Sequence, residues 1–181
     1  MKIRIMTIRF KKMILVAGSG RNVGKTTLAC RLIRNLSEHF DVTAIKISSH
    51  LHRLTHQQKI IYQVEGVTVS EELDQLSSKD SARFLRAGAI RSLFIQVDGQ
   101  HFAILADWLN QHLTGWVVCE SAILGKYIVP HTAIFVEGDH LQKEPGWNFP
   151  FIKTRMIDDC FTNDAAEIGI DVSKLFGNEE F

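Results

Sequence analysis

The sequence has few cysteines, little net charge and no long apolar run, and each lack excludes a class of protein. The three cysteines, Cys30, Cys119 and Cys160, are far apart and form neither a CxxC pair nor a disulfide framework. The formal net charge of +1 does not favour nucleic acid or an acidic membrane as a partner. No apolar run is long enough to span a bilayer. We therefore expect a protein of the reducing cytoplasm that binds neither nucleic acid nor membrane.

The composition is typical of one globular domain. Of the 181 residues, 45% are hydrophobic and 23% are charged, a balance without a disordered or fibrous signature. The length is sufficient for one domain with its own core. The basic segment 1–12 lacks the small-residue cleavage site of a signal peptide. We interpret it as an extension or edge strand ahead of a single domain that spans residues 13–181.

Apolar runs that suit buried parallel strands alternate with helical spacings along the chain. MILVAG (13–18) is a continuous apolar run, and DVTAIKI (41–47) predicts a second strand. Between them, segment 24–40 has leucines at helical spacing, whereas residues 48–77 are irregular with one candidate strand, YQVEGVTV. Further candidates are helices in SSKDSARFLRAGA (77–89), HFAILADWLNQHL and part of NDAAEIGIDVSKLF, and strands in IRSLFIQV, GWVVCE, HTAIFVEG and FPFIKT. The alternation predicts an α/β fold with a mostly parallel, twisted sheet and helices on both faces.

The segment AGSGRNVGKTTLA (17–29) lies between a predicted strand and a predicted helix, where a phosphate-binding loop belongs. Gly18, Gly20 and Gly24 would let the backbone turn tightly and point its N–H groups inward. The usual pattern GxxxxGK[ST] requires glycine at Ser19, so Gly18 comes one step early. The predicted nucleotide-binding residues are Gly20, Arg21, Asn22, Val23, Gly24, Lys25, Thr26 and Thr27. This motif predicts a P-loop NTPase fold that binds a nucleoside triphosphate with Mg²⁺.

Two of these residues have distinct chemical roles in such a loop. Lys25 would reach the β- and γ-phosphates, and the hydroxyl of Thr26 would bind Mg²⁺. The candidate catalytic residues are Lys25 and Arg21, because Arg21 is the only arginine of the loop that could stabilise transition-state charge. With no clearly positioned glutamine beside it, we expect slow hydrolysis at most.

Residues at the ends of other elements are expected at the same crevice, since ligands of such sheets lie beyond the carboxyl ends of the strands. Glu120, at the end of WVVCE, is the candidate second carboxylate for Mg²⁺, or else a solvated acid at a strand end. Lys46 could hold a second anionic ligand or the γ-phosphate, or be a surface lysine. Asp80 could cap a helix, in capping-box spacing with Ser77, or lie beside the site as a second-ligand residue.

Other charged residues give weaker signals. Arg83 and Arg86 lie three apart and could present to an anion, although such a pair is often a solvated helix face. His50, His52 and His56 form a loop cluster whose spacing matches no structural zinc motif. We therefore expect no metal other than Mg²⁺.

Four segments together resemble the MobB family, the nucleotide-binding adaptor proteins of molybdopterin-guanine dinucleotide biosynthesis. They are GSGRNVGKTTL, IKISSHLH (45–52), KDSARFLRAGA (79–89) and VVCES. The resemblance extends over about residues 13–137, and KDSxRxxxAGA is its most specific element. The chain departs from the family where Ile47 replaces a histidine and Ser121 replaces a glycine. The resemblance implies GTP as ligand, weak hydrolysis at most, a homodimer, and partnership with the guanylyltransferase that builds the dinucleotide cofactor.

Two other functions are compatible with the same loop. Dethiobiotin synthetase is similar in its stretched glycine spacing and in a lysine comparable to Lys46, which would imply an ATP-dependent small-molecule enzyme. The segment KDSARFLRAGA is foreign to that family. A nucleotide-dependent regulatory switch without turnover is the third possibility. The sequence has no NKxD motif, so the choice between GTP and ATP stays open at this point.

Overall fold

The computed structural model describes residues 8–49, 58–138 and 144–155. This part of the chain is an α/β fold with three α-helices. The strands are β1 (Ile8–Arg9), β2 (Met13–Gly18), β3 (Val42–Ser48), β4 (Gln58–Val64), β5 (Val67–Glu72), β6 (Arg91–Val97), β7 (Trp116–Glu120), β8 (Ile128–Val129), β9 (Thr132–Glu137) and β10 (Ile152–Arg155). The helices are α1 (Lys25–Ser37), α2 (Asp80–Arg86) and α3 (Phe102–His112).

Eight strands form one twisted sheet in the order β10-β9-β2-β7-β3-β6-β5-β4. The six strands from β10 to β6 run parallel, and β5 and β4 add an antiparallel hairpin at one edge. The predicted α/β class with a mostly parallel sheet is therefore confirmed. Because parallel strands end at the same edge, the residues that follow β2, β3 and β7 are brought together.

Helices cover both faces of the sheet, as the alternating pattern predicted. Side chains of β2 alternate between two cores: Ile14 packs in the cluster of α1 and α2, and Leu15 packs in the cluster of α3. Leu28 of α1 and Leu105 of α3 are fully buried in these two clusters. Burial of each such side chain contributes about 1.5–3 kcal/mol. The two cores fix β2 between α1 and α3, and with it the loop that follows β2.

The hairpin of β4 and β5 lies in the segment 48–77, which was predicted to be irregular with one candidate strand. That candidate, YQVEGVTV, contains the end of β4, the turn and the start of β5. The turn contains Gly66 at a φ of 72°, a left-handed conformation that glycine adopts without strain. As the edge strand, β4 leaves Ile60 47% exposed and so lacks the apolar run of the buried strands. Helix α2 is also shorter than the predicted helical segment 77–89.

The first described residues join the same domain. Strand β1 pairs in parallel with β8, and Phe10 is buried in the α3 core. Residues 1–7 and the helical candidate NDAAEIGIDVSKLF lie outside the described residues. Of the helices in the described ranges, none has the length and apolar character needed to cross a membrane.

Candidate functional site

The loop between β2 and α1 has two left-handed residues that direct its backbone. Asn22 has a φ of 57° and Gly24 a φ of 93°, a region that asparagine tolerates and glycine adopts freely. Gly24 is the N-cap of α1, and it has no side chain with which to cap the helix. The first-turn N–H groups of α1 have no partner within the helix, and they carry the positive end of its dipole. They are therefore suited to bind an anion.

Gly18 and Ser19 explain why the glycine of this loop comes one step early. A Cβ on Gly18 would lie 2.9 Å from the carbonyl oxygen of Val136, and it would also collide with Val23 and Lys25. The backbone N–H of Ser19 donates to the Val136 carbonyl at 3.0 Å. The Ser19 hydroxyl accepts from the Gly138 N–H at 2.9 Å. Position 18 thus requires glycine, while Ser19 ties the loop to the end of β9.

Gly18, Gly20 and Gly24 were all expected to be needed for the tight turn of the loop, but Gly20 has room for a side chain. A Cβ at this position would come no closer than 3.8 Å to Val23, an ordinary van der Waals contact. The carbonyl of Gly20 accepts a hydrogen bond from the Lys25 ammonium. Burial lowers the pKa of Lys25, and the charge of Glu120 opposes that shift. Lys25 is thus held over the loop, in partly desolvated surroundings.

Thr26 and Glu120 meet at the start of α1. The Thr26 hydroxyl donates to Glu120 Oε2 at 2.8 Å. Strand β7 pairs directly with β2, so its last residue lies at the base of the loop. Glu120 is only 3% exposed, and a buried carboxylate of this kind needs donors on its oxygens. The hydroxyl of Thr26 is one such donor.

Lys46 supplies the second donor to Glu120 and connects it to Asp80. Lys46 and Glu120 are Cα partners in the β3–β7 register, and the Lys46 ammonium contacts Glu120 Oε1. The same ammonium lies 3.0 Å from Asp80 Oδ2, and Arg83 lies 3.5 Å from Asp80 Oδ1. Lys46, Asp80 and Glu120 are at least 34 positions apart in the sequence, and with Arg83 they form one charged network beside the loop.

These residues surround a cavity of about 450 Å³, which we call the phosphate cavity. A volume of this size is within the range of sites for small ligands. The residues that line it are Arg21, Asn22, Gly24, Lys25, Thr26, Thr27, Lys46, Asp80, Arg83 and Glu120. Four are cationic and two are carboxylates, so the wall favours a polyanion. Of the predicted site residues, Gly20 and Val23 are absent from this described lining, and the others are brought together.

Asp80 and the two arginines of α2 have roles that the local pattern only partly predicted. The N-cap of α2 is Lys79, which makes Asp80 the first helical residue and not the third. The capping box with Ser77 is therefore wrong: a tertiary ion pair with Lys46 determines where Asp80 points. Arg86 binds the carbonyl oxygens of Gln75 and Ser77 and holds the loop before α2, whereas Arg83 lines the phosphate cavity.

No sequence pattern indicated the role of Glu72, which binds the start of α2 to the sheet. Glu72 is buried at the end of β5 and accepts the Ser81 hydroxyl at 2.8 Å and the Asp74 N–H at 3.1 Å. The Lys79 ammonium lies 3.9 Å from the same carboxylate. These contacts fix the start of α2, and thereby the position of Asp80. Glu72 is the last residue of β5, so its burial could have been predicted only if the hairpin of β4 and β5 had been predicted first.

The described residues also bear on two other kinds of chemistry, metal binding by clustered side chains and reactions of the cysteine thiols. Within the described ranges, no group of three or more His, Cys, Asp or Glu side chains could hold a metal ion. The histidine cluster 50–56 lies outside those ranges. Burial raises the pKa of the half-buried Cys30 and of the fully buried Cys119, which disfavours the reactive thiolate form of both. A metal in this cavity would need ligands beyond protein carboxylates.

Comparisons of the chain with protein-family models, with curated proteins and with solved structures gave no match.

Proposed function

We propose that this chain is a P-loop NTPase that binds a Mg²⁺–nucleoside triphosphate, with GTP favoured, in the phosphate cavity. The observation that carries the proposal is the 2.8 Å contact between Thr26 and Glu120 at the start of α1. A hydroxyl from the first turn of α1 and a strand-end carboxylate thus converge in a cavity lined by four cationic residues and two carboxylates. This is the combination of groups that a metal–triphosphate complex requires.

The phosphate groups would be held by backbone and side chain together. The N–H groups of the first turn of α1 would donate to phosphate oxygens, and the dipole of α1 favours negative charge there. The ammonium of Lys25 would exchange the Gly20 carbonyl for phosphate oxygens, a stronger charge-assisted contact. Arg21 and Lys46 line the same cavity and would neutralise further charge.

The oxygen atoms of Thr26 and Glu120 fit Mg²⁺, which prefers hard oxygen ligands. Such an ion is bound through one or two protein oxygens, together with phosphate oxygens and water, so a cluster of three acids is not required. When bound, Mg²⁺ would neutralise charge on the phosphates. Thr26 would bind it directly, and Glu120 would do so directly or through water.

Weak hydrolysis is the activity that these residues support. None of the described side chains that line the phosphate cavity is a glutamine that could orient an attacking water. Both carboxylates, Asp80 and Glu120, are ion-paired with Lys46. Lys25 and Arg21 are then the residues that could stabilise transition-state charge.

The biological role that we infer is support of molybdenum cofactor guanylylation, in the manner of the MobB family. The support for it is the resemblance in the sequence, together with the location of its most specific segment. Asp80 and Arg83 belong to KDSARFLRAGA, and both line the cavity of the phosphate loop. A cytoplasmic homodimer and a guanylyltransferase partner are further parts of this proposal.

An ATP-dependent small-molecule enzyme similar to dethiobiotin synthetase is the second candidate. A smaller cavity that shares Lys46 and Asp80 with the phosphate cavity favours it, because such an enzyme needs room for a second substrate. A nucleotide panel separates the candidates: we expect GTP to bind more tightly than ATP in the presence of Mg²⁺, with slow phosphate release. Preference for ATP would favour the enzyme, and no triphosphate binding would contradict both.

A further inference from the structure

A second cavity of about 330 Å³ adjoins the phosphate cavity, and we call it the side cavity. Lys46 and Asp80 line both cavities and therefore stand between them. Ser48, Gln58 and Phe94 line the side cavity and not the phosphate cavity. Its volume is at the lower end of the range for small-ligand sites.

Strand register builds the floor of the side cavity. Lys46 and Phe94 are Cα partners in the parallel pair of β3 and β6, and Ser48 lies two residues further along β3. Residues two apart project from the same face of a strand, so these three side chains share one face of the sheet. Gln58, at the start of β4, completes the lining from the hairpin.

Helix α2 forms the wall of the side cavity. Lys79 and Asp80 line it from the start of that helix. The hydrogen bond from Ser81 to the buried Glu72 anchors this wall to β5. Both floor and wall are thus made from ordered elements, which can hold a ligand in one orientation.

The lining indicates the chemistry of the occupant. Lys46 and Lys79 bring two ammonium groups to the side cavity, and Asp80 is the one carboxylate among its described lining residues. Ser48 and Gln58 are the polar uncharged residues of β3 and β4 in this lining, and Phe94 is its partly exposed aromatic residue. A lining with two lysines, one carboxylate and one aromatic residue suits a small organic anion with an apolar ring or chain, which would compete with Asp80 and Glu120 for Lys46 and with Glu72 for Lys79.

We propose that the side cavity is a second ligand site, and that it takes a small organic oxyanion, a carboxylate or a phosphate ester. The placement of this ligand beside the terminal phosphate of a nucleotide rests on the proposed function. The site itself does not, because Ser48, Gln58, Lys79 and Phe94 lie outside the phosphate cavity. Lys46, which faces both cavities, would contact both ligands.

The test titrates phenyl phosphate and benzoate, which distinguish a phosphate from a carboxylate preference. The protein is first saturated with Mg²⁺ and the non-hydrolysable GTP analogue with an imido bridge, so that the probes cannot enter the phosphate cavity. Calorimetry gives probe affinity, and amide NMR locates the probe at Ser48 and Phe94. We expect Lys79→Met to weaken probe binding at least fivefold. The matched variant Lys59→Met, at an exposed position on β4, should leave it within twofold.

Binding of either probe with shifts at Ser48 and Phe94, and its loss in Lys79→Met alone, would support the proposal. If neither probe binds, or if Lys79→Met binds as tightly as wild type, the second site is wrong although nucleotide binding stands. If the GTP analogue itself does not bind, the proposed function fails. The same comparison of variants in the nucleotide-free protein then decides the second site by itself.

Discussion

At the scale of single residues, the proposed binding of Mg²⁺ depends most on Glu120. It is buried, and it accepts from Thr26 and from Lys46 on its two oxygens. A carboxylate beside the phosphate loop repels a bare anion there and so lowers the affinity for that anion. A divalent cation between the carboxylate and the phosphates would remove this loss of affinity.

Replacing Glu120 by glutamine separates these two effects. Glu120→Gln should lower the Mg²⁺-dependent part of triphosphate affinity by about 10-fold or more, since a ligating oxygen loses its charge. Affinity in EDTA should be unchanged or slightly higher. Calorimetry with and without Mg²⁺ measures both, with the exposed Glu65→Gln as a matched control. If Mg²⁺ contributes equally in wild type and Glu120→Gln, the metal carboxylate lies elsewhere, with Asp80 the next residue to test and Glu137 or Asp139 after it.

Gly18 has too little room for a side chain. Gly18→Ala would force a Cβ to 2.9 Å from the Val136 carbonyl oxygen, a backbone atom that cannot move aside without shifting β9. We expect a loss of about 1–3 kcal/mol in the free energy of unfolding. Gly20→Ala is the control, because a Cβ there has ordinary contacts. Chemical denaturation measures both, and equal stability of the two variants would contradict the packing described here.

At the scale of elements, the sequence predicted those whose pattern is set by burial and did not predict contacts between distant elements. The continuous apolar run of β2 and the leucine spacing of α1 predicted these elements because burial sets their pattern. Register then brought Lys46 and Glu120 to the same crevice, as expected for strand ends of a parallel sheet. The role of Asp80 depends on Lys46, 34 positions earlier, and no local pattern contains that information. The candidate strand YQVEGVTV contains only the last three residues of β4, and the rest of this edge strand was not predicted because its solvent-facing side removes the apolar run.

The attachment of α2 to β5 depends on the hydrogen bond from Ser81 to Glu72. A seven-residue helix is marginal by itself, so it relies on such tertiary contacts. Ser81→Ala removes a donor from a buried carboxylate and should lower the free energy of unfolding by about 1–3 kcal/mol. The exposed Ser78→Ala is the matched control and should stay within about 0.5 kcal/mol of wild type. Urea denaturation of the two variants tests this, and equal midpoints would show that the contact is dispensable.

At the scale of the whole molecule, the phosphate cavity connects segments that are distant in the sequence. The loop after β2, the ends of β3 and β7 and the start of α2 all contribute to its wall. A ligand that contacts all four segments binds only the folded chain, so its binding energy adds to the stability of the fold.

Thermal unfolding reports this coupling. At a concentration 100 times its dissociation constant, GTP with Mg²⁺ should stabilise the fold by about 2.7 kcal/mol. For a chain of this length, that corresponds to a rise of about 5–11 °C in the unfolding midpoint. Calorimetric scans with guanosine as the control, which has the base and ribose but no phosphate, measure the shift. A midpoint that guanosine raises as much as GTP would contradict recognition through the phosphates.

The most direct test of nucleotide binding at the phosphate loop is titration calorimetry of Lys25→Ala with GTP and ATP in Mg²⁺. Loss of the ammonium should weaken triphosphate binding by about 2–4 kcal/mol, or about 30- to 700-fold. The fold should stay intact, because Lys25 is the first residue of α1 and lies outside both hydrophobic cores. Lys59→Ala, at an exposed lysine of β4, should bind like wild type. Unchanged affinity of Lys25→Ala for both nucleotides would contradict the assignment of this loop as the phosphate site.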